Sequence, residues 1–154
     1  MLRVLVSPRR SRPLVAAIRA LFVVAAIVPL LAPLLESVAW SAPLGAVLRA
    51  LYSLQCHQRV GRSFTIFGAT LPVCARCYGI YFGLGLAGLV GRPRLRIDAY
   101  KAWILVGAVV VVLDVATEWL GLRPANAWVR VGTGGALAYG IALAILESVR
   151  PRRR

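Results

Sequence analysis

The sequence predicts an all-α integral membrane bundle of four transmembrane helices, with both termini on the cytoplasmic side. Of its 154 residues, 60% are hydrophobic, whereas soluble domains contain about 45–50%. The net charge of +14 comes from 19 basic and 5 acidic residues, and the basic residues lie in short clusters between long apolar runs. This pattern excludes an ordinary soluble enzyme. Membrane topology explains the positive charge, so we expect no nucleic-acid partner.

Four apolar segments approach the length of about 20 residues that a helix needs to cross the hydrocarbon layer. We therefore predict a single membrane domain over residues 1–154, in which residues 36–70 form a long loop on the outer side. The four predicted spans cover about residues 15–35, 71–91, 102–122 and 129–149.

The basic residues near the ends of these segments predict the orientation, because short loops rich in Lys and Arg stay in the cytoplasm. Thirteen of the 19 lie near the N-terminus, between the second and third spans, or after the fourth span. This distribution predicts a multi-pass membrane protein with both termini in the cytoplasm, and the lipid bilayer is the partner that the sequence implies. An alternative for the N-terminus is a cleaved signal peptide, because Ser37 and Ala39 fit a small-x-small cleavage site.

All three cysteines and the single histidine lie within one short stretch. Cys56 and His57 are adjacent, while Cys74 and Cys77 form a C-x-x-C motif where the outer loop joins the second span. Three thiols and one imidazole are a donor set used for zinc, and the connection between the two pairs is typical of two half-sites. We therefore predict that these four residues bind zinc or another soft divalent metal as a cofactor, near the outer membrane surface.

Other interpretations of these cysteines stay open, among them a structural disulfide and thiols with no chemical role. A C-x-x-C motif also suits a redox dithiol, so the chain is alternatively a membrane thiol-disulfide oxidoreductase that uses Cys74 and Cys77. The odd number of cysteines favours the metal, since a disulfide leaves one thiol unpaired. Adjacent residues such as Cys56 and His57 tend to point apart, however, and both bind one ion only where the loop turns.

Two acidic residues of the third span form a second candidate site. Asp114 and Glu118 lie one turn apart on one face of the predicted helix, at a depth where ionised side chains usually face a partner inside the bundle. Arg130, at the start of the fourth span, is the expected counter-charge, and Asn126 is expected either to cap that helix or to donate to the carboxylates. Asp114, Glu118 and Arg130 are candidates for catalysis, for binding an ion or lipid head group, or for a structural ion pair.

Depth along the helices relates the two candidate sites. Counted from Lys101, Asp114 lies about 20 Å along the third span, near the level at which the C-x-x-C motif begins the second span. The sequence thus predicts one polar pocket at the outer end of the bundle, containing thiolates, carboxylates and arginines. Transport through it would require a homo-oligomer, because four short helices leave little room for an alternating-access pathway.

The segments CHQRVGRSF and LPVCARCYGIYFG, followed by Asp114, Asn126 and Arg130 before a Gly-rich last span, resemble a bacterial membrane-protein family catalogued as domain of unknown function 2085. The resemblance covers about residues 50–140. The resemblance implies a small multi-pass protein of the bacterial cell inner (cytoplasmic) membrane and no particular activity, so whether the protein is an enzyme stays open. The matching signature positions are Cys56, His57, Gln58, Arg62, Ser63, Phe64, Pro72, Cys74, Arg76, Cys77, Gly79, Tyr81 and Gly83.

Overall fold

The computed structural model describes residues 8–58 and 60–149, and this part of the chain is largely helical, as predicted. Five α-helices follow one another, and a small hairpin lies between the second and the third. The helices are α1 (Pro8–Glu36), α2 (Ala42–Ser53), α3 (Ala75–Val90), α4 (Ile97–Trp119) and α5 (Ala127–Val149), with a 3₁₀ turn at Val60–Arg62 and strands β1 (Thr65–Ile66) and β2 (Ala69–Thr70).

Three of the described helices are long and apolar enough to cross a membrane: residues Arg12–Glu36 of α1, the whole of α4 and the whole of α5. The shortest of them has 23 residues, and at 1.5 Å per residue it reaches about 35 Å, more than the hydrocarbon thickness of about 30 Å. Several candidate spans are therefore present, as expected of a membrane protein. The count of four spans and the cytoplasmic termini stay predictions.

α3 is shorter than the span predicted for residues 71–91. It has 16 residues, which reach about 24 Å, because the chain enters it in an extended conformation. Pro72 lacks a backbone N–H. Cys74 is the N-cap residue of α3, and its backbone is extended, at φ −70° and ψ 162°.

The connection over residues 36–70, expected to be a loop, contains α2 and the hairpin. α2 has 12 residues, too few to span, so a search for membrane-length apolar runs does not reveal it. Proline in its first turn is a usual start signal. Leu44, Val47 and Leu51 are more than half exposed and share one face, so α2 presents an apolar face away from the bundle.

The hairpin returns the chain from α2 to the start of α3. Its two-residue turn has positive φ at both positions, 53° at Phe67 and 78° at Gly68, the geometry of a type I′ turn. The backbone N–H of Leu71 donates to the carbonyl of Phe64 at 2.7 Å and extends the pairing beyond the strands. The hairpin therefore delivers Cys74 to the N-terminal end of α3.

α3 lies at the centre of the bundle, between α1 and α5, and α4 packs on α5. Glycines allow these close contacts. A Cβ atom added at Gly79 would lie 2.8 Å from Cα of Val131, and one added at Gly83 would lie 2.9 Å from the carbonyl carbon of Gly135. Gly88 faces α1 in the same way. The small-residue spacing of this segment is therefore a helix-packing pattern.

Candidate metal centre

The three cysteines come together at the N-terminal end of α3. The Sγ atoms of Cys56, Cys74 and Cys77 all lie within 4.8 Å of one another, and all three thiols are free. Cys74 is the N-cap of α3 and Cys77 lies in its first turn, so the C-x-x-C spacing turns both sulfurs toward one point. Sγ of Cys56 accepts a hydrogen bond of 3.2 Å from the backbone N–H of Cys74.

Aromatic side chains fix the segment that carries Cys56 against α3. The Tyr81 hydroxyl donates to Oε1 of Gln55 at 2.7 Å, and the rings of Tyr52 and Tyr81 meet edge to face with centroids 5.9 Å apart. The backbone N–H of Cys56 continues the end of α2 by donating to the carbonyl of Tyr52 at 2.9 Å. Cys56 is thereby buried, with 7% of its surface exposed.

Arg49 of α2 ties the surrounding segments together. Its guanidinium binds both carboxylate oxygens of Glu36 at the end of α1, at 2.8 and 2.6 Å, and donates to the carbonyl of Thr70 in β2 at 2.6 Å. Its own carbonyl accepts a hydrogen bond of 2.7 Å from the Gln58 side chain. The loop that follows α2 and the hairpin that precedes α3 are therefore held in one arrangement.

The cysteine cluster stabilises a thiolate at Cys74. A hydrogen bond from the Cys77 thiol, helped by the backbone N–H groups of Cys77 and Arg76 and by Cys56, lowers the pKa of Cys74 to about 5 against the opposing effect of burial. The position at the helix N-terminus acts in the same direction, since the helix dipole favours negative charge there. A thiolate is the form in which cysteine binds metals.

His57 does not belong to the group of converging ligand atoms, which among the described residues consists of the three cysteines. It is exposed, whereas Cys56 is buried. Side chains of consecutive residues diverge, and the chain then bends at Gln58, whose φ of 46° is left-handed. The role of His57 as fourth ligand stays a prediction.

Asp114 of α4 is buried and lies between two arginines. Nη2 of Arg76 is 2.5 Å from Oδ2, and Arg123, in the connection to α5, binds Oδ1 and donates to the Asp114 carbonyl at 3.1 Å. Arg130 was expected as the counter-charge of both carboxylates, and in the described region it pairs with Glu118 and not with Asp114. Asp114 lies one turn deeper along α4, within reach of α3 and of the α4–α5 connection.

Glu118 also has two arginine partners. Nε of the buried Arg130 donates to Oε2 at 2.9 Å, which confirms the predicted pairing, and Arg62 approaches Oε1 at 3.3 Å. Asn126 caps α5 as predicted: its Oδ1 accepts hydrogen bonds from the backbone N–H groups of Trp128 and Val129 at 2.9 and 3.2 Å.

Four guanidinium groups thus surround two carboxylates at the cysteine end of the bundle. Because each carboxylate is held by two arginines, the arrangement favours a structural ion-pair network over a free general base. The sequence did not indicate Arg123 or the pairing of Arg62 with Glu118. Arg62 and Arg76 belong to the signature positions of the resembled family, and the predicted polar pocket already included arginine beside the thiolates and carboxylates.

Residues 56–146 match the sequence model of a family described as "Predicted membrane protein (DUF2085)". The chain belongs to this family. The matched range covers more than half of the chain and contains the three cysteines and both carboxylates. Membership in DUF2085 confirms the resemblance seen in the sequence and the assignment to a membrane.

Two relatives of this DUF2085 chain come from archaea. "Uncharacterized protein MJ1492" of Methanocaldococcus jannaschii is 39% identical over 104 residues, which cover 64% of this chain and 66% of the relative, just under two thirds of its length. An "Uncharacterized protein" of Methanothermobacter thermautotrophicus is 34% identical over 97 residues, which cover 61% of this chain and 85% of the relative. Bacterial origin and the inner membrane therefore stay predictions. No solved structure matches the chain.

Proposed function

We propose that this DUF2085 protein binds zinc, or a similar soft divalent ion, through the thiolates of Cys56, Cys74 and Cys77. The observation that supports the proposal is the convergence of the three Sγ atoms within 4.8 Å. In a tetrahedral site with Zn–S bonds of about 2.3 Å, two sulfurs lie about 3.8 Å apart. Movements of about 1 Å or less therefore bring the sulfurs to ligand distance.

Three sulfur ligands leave one position open on a tetrahedral ion. His57, the predicted fourth ligand, reaches this position when its loop turns toward the sulfurs. Cys74 and Cys77 are only half-buried, so a water molecule supplies the fourth ligand otherwise. Three thiolates and a divalent cation carry a net negative charge, which the guanidinium groups of Arg62 and Arg76 offset.

Replacing Cys56 or Cys74 by serine is expected to abolish stoichiometric zinc binding by the full chain purified in detergent. Loss of a ligand should lower the affinity by more than about 100-fold, the upper end of the effect of residues that merely support ligands. Because a water molecule can take the fourth position when the imidazole is removed, the change His57→Ala should lower the affinity less than the loss of a sulfur, by about tenfold. Zinc content by elemental analysis and competition with a chromophoric chelator measure both effects.

Ser53→Ala serves as the matched control, because Ser53 is exposed at the end of α2 and its hydroxyl bonds only to the carbonyl of Ala50. Equal zinc content in the wild type and in Cys74→Ser would overturn the proposal. A loss in His57→Ala as large as that in Cys74→Ser would instead establish the imidazole as a full ligand.

Thiol-disulfide exchange is the second candidate function, and three free thiols within reach of one another support it. The Cys74 thiolate would attack a substrate disulfide and release one substrate thiol, and Cys77 would then displace the second. The substrate disulfide is reduced to two thiols, and a Cys74–Cys77 disulfide forms. Trapping of thiols in acid-quenched cells distinguishes the functions: a metal site keeps all three cysteines reduced, whereas a redox site yields an oxidised fraction that follows the applied oxidant.

For the topology we propose that α3 is a fourth crossing, with the cysteine end outside and residues 92–101 in the cytoplasm. The basic residues of that connection support this orientation. The test uses a variant in which Cys56, Cys74 and Cys77 are all replaced by serine, so that no native thiol reacts. In this background a cysteine introduced at the exposed Leu54 should react with a membrane-impermeant maleimide in intact cells, and one at the exposed Leu95 only after permeabilisation. Labelling of Leu95→Cys in intact cells would show that the orientation is the opposite of the proposed one.

A further inference from the structure

A cavity of about 330 Å³ lies at the end of the bundle opposite the cysteines. It is formed where α1, the C-terminal end of α5 and the connection between α3 and α4 meet. Along α3, this end is about 25 Å from the cysteine cluster, so the cavity is separate from the proposed metal site. Its walls are Val15, Arg19, Arg92, Pro93, Arg94 and Leu146.

The cavity concentrates positive charge. Three of its six lining residues are arginines and none is acidic. In the described ranges, the guanidinium groups of Arg92 and Arg94 have no ion pair and no hydrogen bond; the nearby carboxylate of Asp98 pairs with Lys101 at 3.4 Å. Like charges gathered at one cavity repel one another, and an anion between them removes that cost.

Hydrogen bonds fix the Arg19 side chain and the backbone at Arg94. Arg19 donates to the carbonyl of Gly88 at 3.1 Å and to that of Gly91, at the negative end of the α3 dipole. The hydroxyl of Tyr100, a fully buried side chain, accepts a hydrogen bond of 3.0 Å from the backbone N–H of Arg94. The Arg19 guanidinium is therefore fixed at the cavity, while the exposed side chains of Arg92 and Arg94 can turn toward an anion.

We propose that this cavity binds the phosphate group of an anionic membrane phospholipid. Guanidinium groups form bidentate, charge-assisted hydrogen bonds with phosphate oxygens, and basic pockets between membrane helices are typical head-group sites. Leu14 and Leu95, the chain neighbours of two lining residues, are 41% and 47% exposed. These apolar surfaces beside the arginines suit the acyl chains of a lipid better than they suit free phosphate.

Native mass spectrometry of the full chain tests the site after reconstitution in phosphatidylcholine vesicles with and without phosphatidylglycerol. The wild type should retain phosphatidylglycerol in preference to phosphatidylcholine. Arg92→Gln and Arg94→Gln should each weaken this retention about tenfold, the effect of losing one hydrogen bond to a charged group. Arg96→Gln is the matched control, because Arg96 is exposed in the same connection but does not line the cavity.

Two further measurements keep the outcome unambiguous. Arg92→Lys retains the charge and should keep more phosphatidylglycerol than Arg92→Gln. An unchanged midpoint of thermal unfolding in detergent reports that each variant is folded. The unfolding midpoint of the wild type is measured with inorganic phosphate and with phosphatidylglycerol. If both raise the midpoint equally, the proposal that the phosphate belongs to a lipid is wrong. Equal phosphatidylglycerol retention by the wild type, Arg92→Gln and Arg94→Gln would overturn the site itself.

Discussion

Replacing Gly83 by alanine is expected to destabilise the protein by about 1–3 kcal/mol, the usual cost of overpacking. The new Cβ atom would lie 2.9 Å from the carbonyl carbon and 3.0 Å from Cα of Gly135. These are backbone atoms of α5, which no side-chain rotation moves away, so α3 and α5 must separate. The midpoint of thermal or denaturant unfolding in detergent measures the loss.

Gly132→Ala is the matched control on α5, because a Cβ atom added at Gly132 meets nothing within 4 Å. Alanine is a better helix former than glycine by up to about 1 kcal/mol, so this variant should be as stable as the wild type or more stable. The two glycine-to-alanine changes are thus expected to differ in sign. Equal midpoints for both variants would contradict the close approach of α3 and α5.

The parts of the site that follow from local spacing were predictable. C-x-x-C at the start of a helix brings Cys74 and Cys77 together whatever the rest of the fold, and Asn126 directly before an apolar run is a recognisable cap. The approach of Cys56 was expected from the donor count, from the spacing of the two half-sites and from the odd number of thiols. That residue reaches Cys74 through the hairpin and through the Tyr81–Gln55 hydrogen bond, neither of which a donor count reveals.

Other features depend on tertiary contacts and could not be predicted in this way. The search for long apolar segments identified α1, α4 and α5. It did not identify α2, because an amphipathic helix of 12 residues is too short to span a membrane. The partners of Asp114 lie 38 and 9 positions away in sequence, on different elements. Only the three-dimensional packing decides which of several nearby arginines each carboxylate meets.

Replacing Asp114 by alanine is expected to destabilise the protein by about 3 kcal/mol, the lower end of the cost of removing one partner from a buried ion pair. The carboxylate side chain is 3% exposed, and the side chains of Arg76 and Arg123 are 22% and 28% exposed. Without Asp114, two guanidinium groups face each other with no anion between them. The lower end applies because both arginines keep some contact with water.

Asp98→Ala on the same helix is the control, since its ion pair with Lys101 is exposed on both sides, at 68% and 63%, and such pairs contribute little. Its unfolding midpoint should stay close to that of the wild type. Because salt screens exposed charges far more than buried ones, the loss in Asp114→Ala should persist at high ionic strength. Arg76 lies between the two cysteines of the C-x-x-C motif, so the Asp114 variant should also bind zinc more weakly than Asp98→Ala does. If both variants unfold at the wild-type midpoint, Asp114 is not the buried centre of the network.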